Sequence, residues 1–347
     1  MNKDALIDRH GRKVDSLRIS LTEHCNFRCS YCMPPEGVTL QSKSQYLTPV
    51  EIERFSRIAV REGITKIRLT GGEPLLRAEI IEIVERLAAI SGLEDLALTT
   101  NGSHLKKMAT SLKRAGLKRI NVSLDSLDPI GFKKISLSDS YFDVMEGIWA
   151  ALSEKFPTKL NMVVMRGVND HEVPAFIEFA LNNSFEEIRF IEFMPLCGTG
   201  WKPNLVFPFD ELLESIAASY CIEKIHSDEA SGVAKSFLVR RGVKSARIGL
   251  ITTLSEPFCG QCSRIRLSAD GQIRPCLFSH AGISIREILR SEASDAAVTS
   301  AIIKAIWEKP KGNEFARNKM EGVALEKTLS KLMPLRGDNP SIRNIGG

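Results

Sequence analysis

No stretch of this 347-residue chain approaches the run of about 20 apolar residues that a membrane helix requires. The opening MNKDALIDRHGRK has no apolar segment of the kind a secretion signal needs, and it carries acids as well as bases, unlike a transit peptide. Lysines and arginines form no basic stripe interleaved with aromatics, and aromatics are only 7% of the residues, so the pattern of a nucleic-acid surface is missing. No low-complexity linker is present, nor any repeat beyond the strand–helix units described below. These absences predict a soluble, cytoplasmic protein without membrane or nucleic-acid partners. The hydrophobic share of 43% suffices for a sizeable core. The net charge of +5 suits an anionic small substrate but selects nothing alone.

An even scatter of cysteines, the mark of a disulfide framework, is also lacking. Six of the eight cysteines fall into two tight sets, Cys25/Cys29/Cys32 and Cys259/Cys262/Cys276, while Cys197 and Cys221 stand alone and read as inert thiols. Thiolates at such spacing are soft ligands for iron–sulfur clusters or zinc. The first set has no fourth cysteine nearby, so a cubane held there keeps one iron open. A zinc site completed by His24 is strained, because His24 adjoins Cys25. At the second set, zinc held with His280 remains open on spacing alone.

Up to about residue 200, short β-rich runs alternate with helical patterns. The strand candidates are 17–21, 66–70, 95–100, 119–124, 160–165 and 188–193. The clearest helix covers 48–63: Thr48 is an N-cap, Pro49 opens the first turn, Glu51 completes a capping box and Gly63 stops it. Six such repeats predict an α/β fold, a partial (β/α)6 TIM-type barrel with a parallel sheet. The unusual loops TEHCNFRC, TGGEP, TTNG, SLDS and FMPLCG all follow strands, so they share the C-terminal rim where such barrels place their sites. Buried parallel strands should be nearly all apolar, yet Arg18, Arg68 and Lys159 lie in or beside them with Asn121, Ser123 and Asn161. Together these predict a polar lumen for an anionic ligand. Beyond residue 200, 209–220 looks helical, KSFLVRR and ARIGLITT look like strands, and 283–333 looks mainly helical. A hairpin is expected around Asp270-Gly271, with Arg264 and Arg266 sharing one face.

The CNFRCSYC motif, GGEP, LTTNG and NVSLDSL in register on successive strands resemble the radical S-adenosylmethionine (SAM) superfamily. PFCGQCSRIRLSADGQIRPCLF, SLRISLTEHCNFRCSYCMPPEG, IRLTGGEPLLR, FIEFMP and the terminal Gly346-Gly347 narrow this to the GTP 3′,8-cyclase family of molybdenum cofactor biosynthesis, over residues 15 to 347. The resemblance implies two 4Fe-4S clusters, one on Cys25, Cys29 and Cys32 in a 1–200 barrel domain, the other on Cys259, Cys262 and Cys276 in a 201–347 region that also binds GTP. It implies SAM contacts at Tyr31, Gly72, Ser123 and Met194, and GTP contacts at Arg18, Arg68, Thr99, Lys159, Arg264 and Arg266. The reaction it implies starts with reductive cleavage of SAM. Hydrogen is then abstracted from the 3′ carbon of the ribose, and attack on carbon 8 of guanine closes a ring to 3′,8-cyclo-7,8-dihydro-GTP. An external electron donor, a downstream pyranopterin synthase and a homodimer belong to the same expectation, as does a flexible Gly-Gly tail entering the site. This sequence departs from the family pattern at Ser263, at Cys197, near Arg343 and in KPKGNEFARNK, which lacks the usual histidine. The competing expectations are another radical SAM enzyme with an auxiliary cluster, such as a peptide-modifying one, and a non-catalytic metal-binding protein.

Overall fold

The computed structural model describes residues 6–33, 41–196, 199–225, 233–279, 282–291 and 293–312. Cys197, His280, Arg343, the part of KPKGNEFARNK after residue 312 and Gly346-Gly347 lie outside the described residues. The six expected strands are β1 (Ser16–Ser20), β2 (Lys66–Thr70), β3 (Asp95–Thr100), β4 (Arg119–Ser123), β5 (Thr158–Val164) and β6 (Glu187–Glu192). They pair in parallel in chain order. Between them run α1 (Pro49–Glu62), α2 (Ile80–Ala88), α3 (Leu105–Arg114), α4 (Pro129–Ser136), α5 (Tyr141–Ser153) and α6 (Val173–Asn182).

Local chemistry accounts for these boundaries. At the start of α1, Thr48 Oγ1 accepts from the Glu51 N–H at 3.2 Å and Glu51 Oε2 accepts from the Thr48 N–H at 2.7 Å, so both ends of the capping box are closed. Gly63 ends the helix at φ 124°, where a side chain would be strained. Period-two alternation in the strands then sorts the residues. Leu17, Ile19, Ile67, Leu69, Leu96, Leu98, Ile120 and Val122 enter the hydrophobic core under the helices. Their alternates, Arg18, Arg68, Thr99, Asn121 and Ser123, take the other face.

The residues after 200 complete the same sheet. They form α7 (Phe209–Ala217), β7 (Cys221–Lys224), β8 (Lys235–Arg241), β9 (Lys244–Ile251), β10 (Arg264–Leu267), β11 (Gln272–Arg274), β12 (Ile283–Ser284), α8 (Arg286–Arg290) and α9 (Asp295–Trp307). β10 and β11 are the expected Asp270-Gly271 hairpin, with Gly271 at φ 83°. β10 also pairs in parallel with β1, and β9 pairs in parallel with β6. The twelve strands described run in the order β12-β11-β10-β1-β2-β3-β4-β5-β6-β9-β8-β7. The partial barrel thus gains a parallel strand on each edge from its C-terminal extension. No helix among the described residues is long and apolar enough to cross a membrane.

Candidate active site

Two cavities lie along the lumen of the sheet: one at the C-terminal ends of the strands, the other reaching their first residues at Ser16, Lys66, Asp95, Arg119 and Arg264. The first is built on a close approach of two loops. The Gly72 N–H donates to Thr22 O at 2.7 Å and the Glu73 N–H to His24 O at 2.7 Å. A β-carbon at Gly72 would fall 2.1 Å from His24 O, so only glycine lets the backbones meet. Glu73 then ties in a third loop. Its fully buried carboxylate accepts from Thr100 Oγ1 at 2.6 Å, the Asn101 N–H at 2.7 Å and the Leu75 N–H at 3.0 Å. Burial nevertheless pushes Glu73 up to about 7 against those three donors.

This scaffold brings Cys25, Cys29 and Cys32 to one wall of the first cavity, with Tyr31, Gly72, Thr99, Ser123 and Asp125 around it. Tyr31 Oη donates to Asp125 Oδ2 at 2.7 Å, and Asp125 Oδ1 accepts from the Val163 N–H at 2.8 Å. The loop of the cysteines is thereby pinned to the ends of β4 and β5. Burial raises Asp125 to about 6 against these two bonds, which favour the carboxylate, and the Glu172 charge adds to the rise. Two N–H groups already face one sulfur: Phe27 N lies 3.4 Å and Asn101 Nδ2 3.8 Å from Cys25 Sγ. Burial, then Asp125 and the neighbouring thiols, push the Cys29 thiol well above its ordinary range. Three such thiols ionise together only when a metal centre offsets their charge.

The second cavity is lined by Arg18, Arg68, Thr99, Arg264 and Arg266, by all three cysteines of the second set and by Met194. Register explains the arginines. Arg266 stands opposite Arg18 across β10 and β1, and Arg18 opposite Arg68 across β1 and β2, making one row of guanidinium groups. Counting Lys66, Arg119 and Arg189, seven cations line this cavity against one acid, Asp95. The modest net charge of the chain is therefore concentrated at one place. Burial and neighbouring arginines bring Arg68 down to about 9, and burial and Arg264 bring Arg266 down to about 10. The same field acts on sulfur. Burial alone would raise Cys262, but Arg264 and Lys309 bring it to about 6.

Of the residues expected from sequence, Tyr31, Gly72 and Ser123 line the first cavity and Met194 the second, while Thr99 lines both. Arg264 and Arg266 face this cavity, with Ile265 and Leu267 fully buried on the other side. Lys159 is placed differently. It is not among the lining residues, and its ammonium is held by Glu186 at 2.9 Å and Glu187 at 3.4 Å. Sequence reasoning passed over Arg189, Arg119, Asp125 and Lys309. For Arg189 a signal existed, a lone cation inside the strand run IRFIEF, at the same lumen phase as Asn161 beside it on β5.

A profile described as "Radical SAM superfamily" matches residues 19–180, and one described as "Molybdenum Cofactor Synthesis C" matches 186–315. The chain is 45% identical over 307 residues to a GTP 3′,8-cyclase of Thermodesulfovibrio yellowstonii, covering 88% of this chain and 94% of that protein. A GTP 3′,8-cyclase of Geobacter sulfurreducens is 41% identical over 91% of this chain and 96% of its own length. This chain belongs to the GTP 3′,8-cyclase family. Human molybdenum cofactor biosynthesis protein 1 is 42% identical, over 88% of this chain but only 48% of that protein, so the chain spans about half of that relative. Streptococcus suis SuiB shares the fold, with a TM-score of 0.61 at 14% identity over 87% of this chain and 68% of that one.

Membership of this radical SAM family brings SAM and two 4Fe-4S clusters as cofactors. The donor sets of this cyclase-family chain fit them. Each set supplies three thiol ligands to the wall of one cavity, soft donors that suit iron and leave one iron of a cubane open.

Proposed function

We propose that the chain converts GTP to 3′,8-cyclo-7,8-dihydro-GTP, the opening step of molybdenum cofactor assembly. The observation that carries this is the junction at Thr99. One cavity offers three cysteines and the Tyr31, Gly72 and Ser123 surface, the next offers three cysteines and a row of arginines, and Thr99 lines both. Cys25, Cys29 and Cys32 would hold the first cluster with SAM against Tyr31, Gly72 and Ser123, and Met194 would reach SAM from the second cavity. Cys259, Cys262 and Cys276 would hold the second. When bound, these groups supply one-electron reduction and hydrogen-atom abstraction from the ribose.

The chain's own part is positioning. Arg18, Arg68, Arg264 and Arg266 offer paired N–H donors that match phosphate oxygens two at a time. A triphosphate there would also offset the crowding of like charges. Lys159 joins this set only by exchanging Glu186 or Glu187 for phosphate. The apolar wall of Ile191, Ile251, Phe258 and Leu277 limits water near the base. An external one-electron donor, a downstream pyranopterin synthase that consumes the product, a homodimer and a cytoplasmic location complete the reading. The test is anaerobic reconstitution followed by incubation with SAM, GTP and dithionite. SAM consumption that depends on GTP and yields the cyclised nucleotide is expected; SAM consumption indifferent to GTP, with no nucleotide product, overturns the reading.

A further inference from the structure

Lys309 follows α9 and is only 2% exposed, although it is a lysine two residues past a helix end. Its Nζ donates to Arg264 O at 2.6 Å and to Pro275 O at 3.1 Å, and lies 3.9 Å from Cys262 Sγ. A second cation completes the arrangement. Arg12, paired with Asp8 at 2.6 Å, donates to Cys259 O at 2.8 Å, Pro310 O at 2.7 Å and Lys311 O at 3.1 Å. The 309–311 segment is therefore tied to all three stretches that carry the second set of cysteines.

The Lys309 ammonium has no carboxylate partner among the described ion pairs. The groups that oppose its charge are the Cys262 and Cys276 thiols, while Arg12 and Arg264 add to it. A buried ammonium is expensive unless an anion sits beside it. Thiolates carrying a cluster are that anion, and a carboxylate is not needed.

We propose that Lys309 is a positioning residue for the second cluster: it orients Cys262 and Cys276 through the carbonyls beside them and raises the cluster's reduction potential through its charge and its N–H contact with Cys262 Sγ. The inference rests on the reading that Cys259, Cys262 and Cys276 hold a 4Fe-4S cluster. Reduction adds an electron, so a cation and an N–H donor at a ligand sulfur favour the reduced form. Arg12 acts on the same site only through the backbone.

The test uses the full chain with Cys25, Cys29 and Cys32 changed to Ala, so that only the second cluster assembles. Iron content and a redox titration followed by electron paramagnetic resonance are read first. Zinc, or no cluster, in this parent defeats the reading beneath the inference. Given about four irons, Lys309→Met should lower the reduced-to-oxidised ratio at fixed potential about tenfold, or 59 mV for a one-electron couple. Lys309→Gln should fall between, Lys309→Arg should stay near the parent, and loss of the same charge from exposed Lys304 (Lys304→Met) should change nothing. An unchanged potential in Lys309→Met or Lys309→Gln overturns the inference. So does loss of the cluster from all three Lys309 variants.

Discussion

Replacing Arg266 with methionine should move nucleotide binding and the stability of the nucleotide-free protein in opposite directions. Arg266 is 5% exposed and stands beside Arg18 in the register of β10 and β1. Burial and the Arg264 charge bring it down to about 10. The cationic form is thus disfavoured in the folded chain relative to the unfolded one, a cost present at neutral pH and relieved only as pH rises past about 10. A drop of this size corresponds to roughly 3 kcal/mol. Methionine fills much of the volume without the charge, so melting of the nucleotide-free variant should occur higher, by up to about 6–12 °C at roughly 2–4 °C per kcal/mol. Binding should go the other way. A charge-assisted bond to phosphate contributes about 1.5–3 kcal/mol, so GTP should bind roughly 10- to 150-fold more weakly. Anaerobic calorimetric titration of GTP and thermal melts with and without GTP read both quantities. A GTP affinity within about threefold of the parent's, which lies below 1 kcal/mol, refutes the reasoning. A large fall in melting temperature would show instead that Arg266 supports the fold.

Anaerobic reconstitution should give about eight irons per chain, and stoichiometric zinc at the 259–276 cysteines would contradict it. Cys29→Ala should abolish SAM cleavage, while Cys259→Ala should keep some cleavage and lose cyclisation, as chromatography of both products would show. Gly72→Ala puts a β-carbon 2.1 Å from His24 O, so the first cluster's loop must shift; reconstitution should yield about four irons and no SAM cleavage. Glu73, raised to about 7, keeps a proton in the folded chain that the unfolded chain releases from about 4.5 upward. Its contribution to stability should therefore fall as pH rises between those values, and Glu73→Gln should flatten that slope in melts run from pH 4 to 8.

The six central strands were legible because each joins a period-two core pattern to a loop with glycine, asparagine or serine at its end. The capping box at Thr48 and Glu51 and the turn at Asp270-Gly271 were legible for the same reason: their partners are three or fewer residues away. Parallel pairing of β10 with β1 joins Ser16 to Arg264, and no local period encodes a partner so distant. For that reason Arg264 and Arg266 could be assigned a shared face but not a neighbour, and the row they make with Arg18 and Arg68 emerged only in the folded chain. Lys309 was illegible for a related cause. At the end of a helix a lysine reads as a solvated charge, and only the three carbonyl and sulfur acceptors collected by the fold make burial tolerable. Lys159 shows the reverse. Its place on a strand marked it as a lumen charge, but Glu186 and Glu187, which hold it, follow a separate helix.

The seam between β1 and β10 also sets a schedule for synthesis. Arg18 and Arg68 leave the ribosome early, whereas Arg266 follows Arg18 by 248 residues. At about 5–20 residues per second, that interval lasts on the order of 12–50 s. Throughout it β1 is an edge strand with open N–H and C=O groups, ready to pair with any other exposed strand. The nascent chain must therefore hold an unfinished sheet edge, flanked by a partial row of like charges, until its last quarter arrives. Chains halted before residue 264 keep that edge for good, which makes them candidates for aggregation and proteolysis rather than weakly active enzymes.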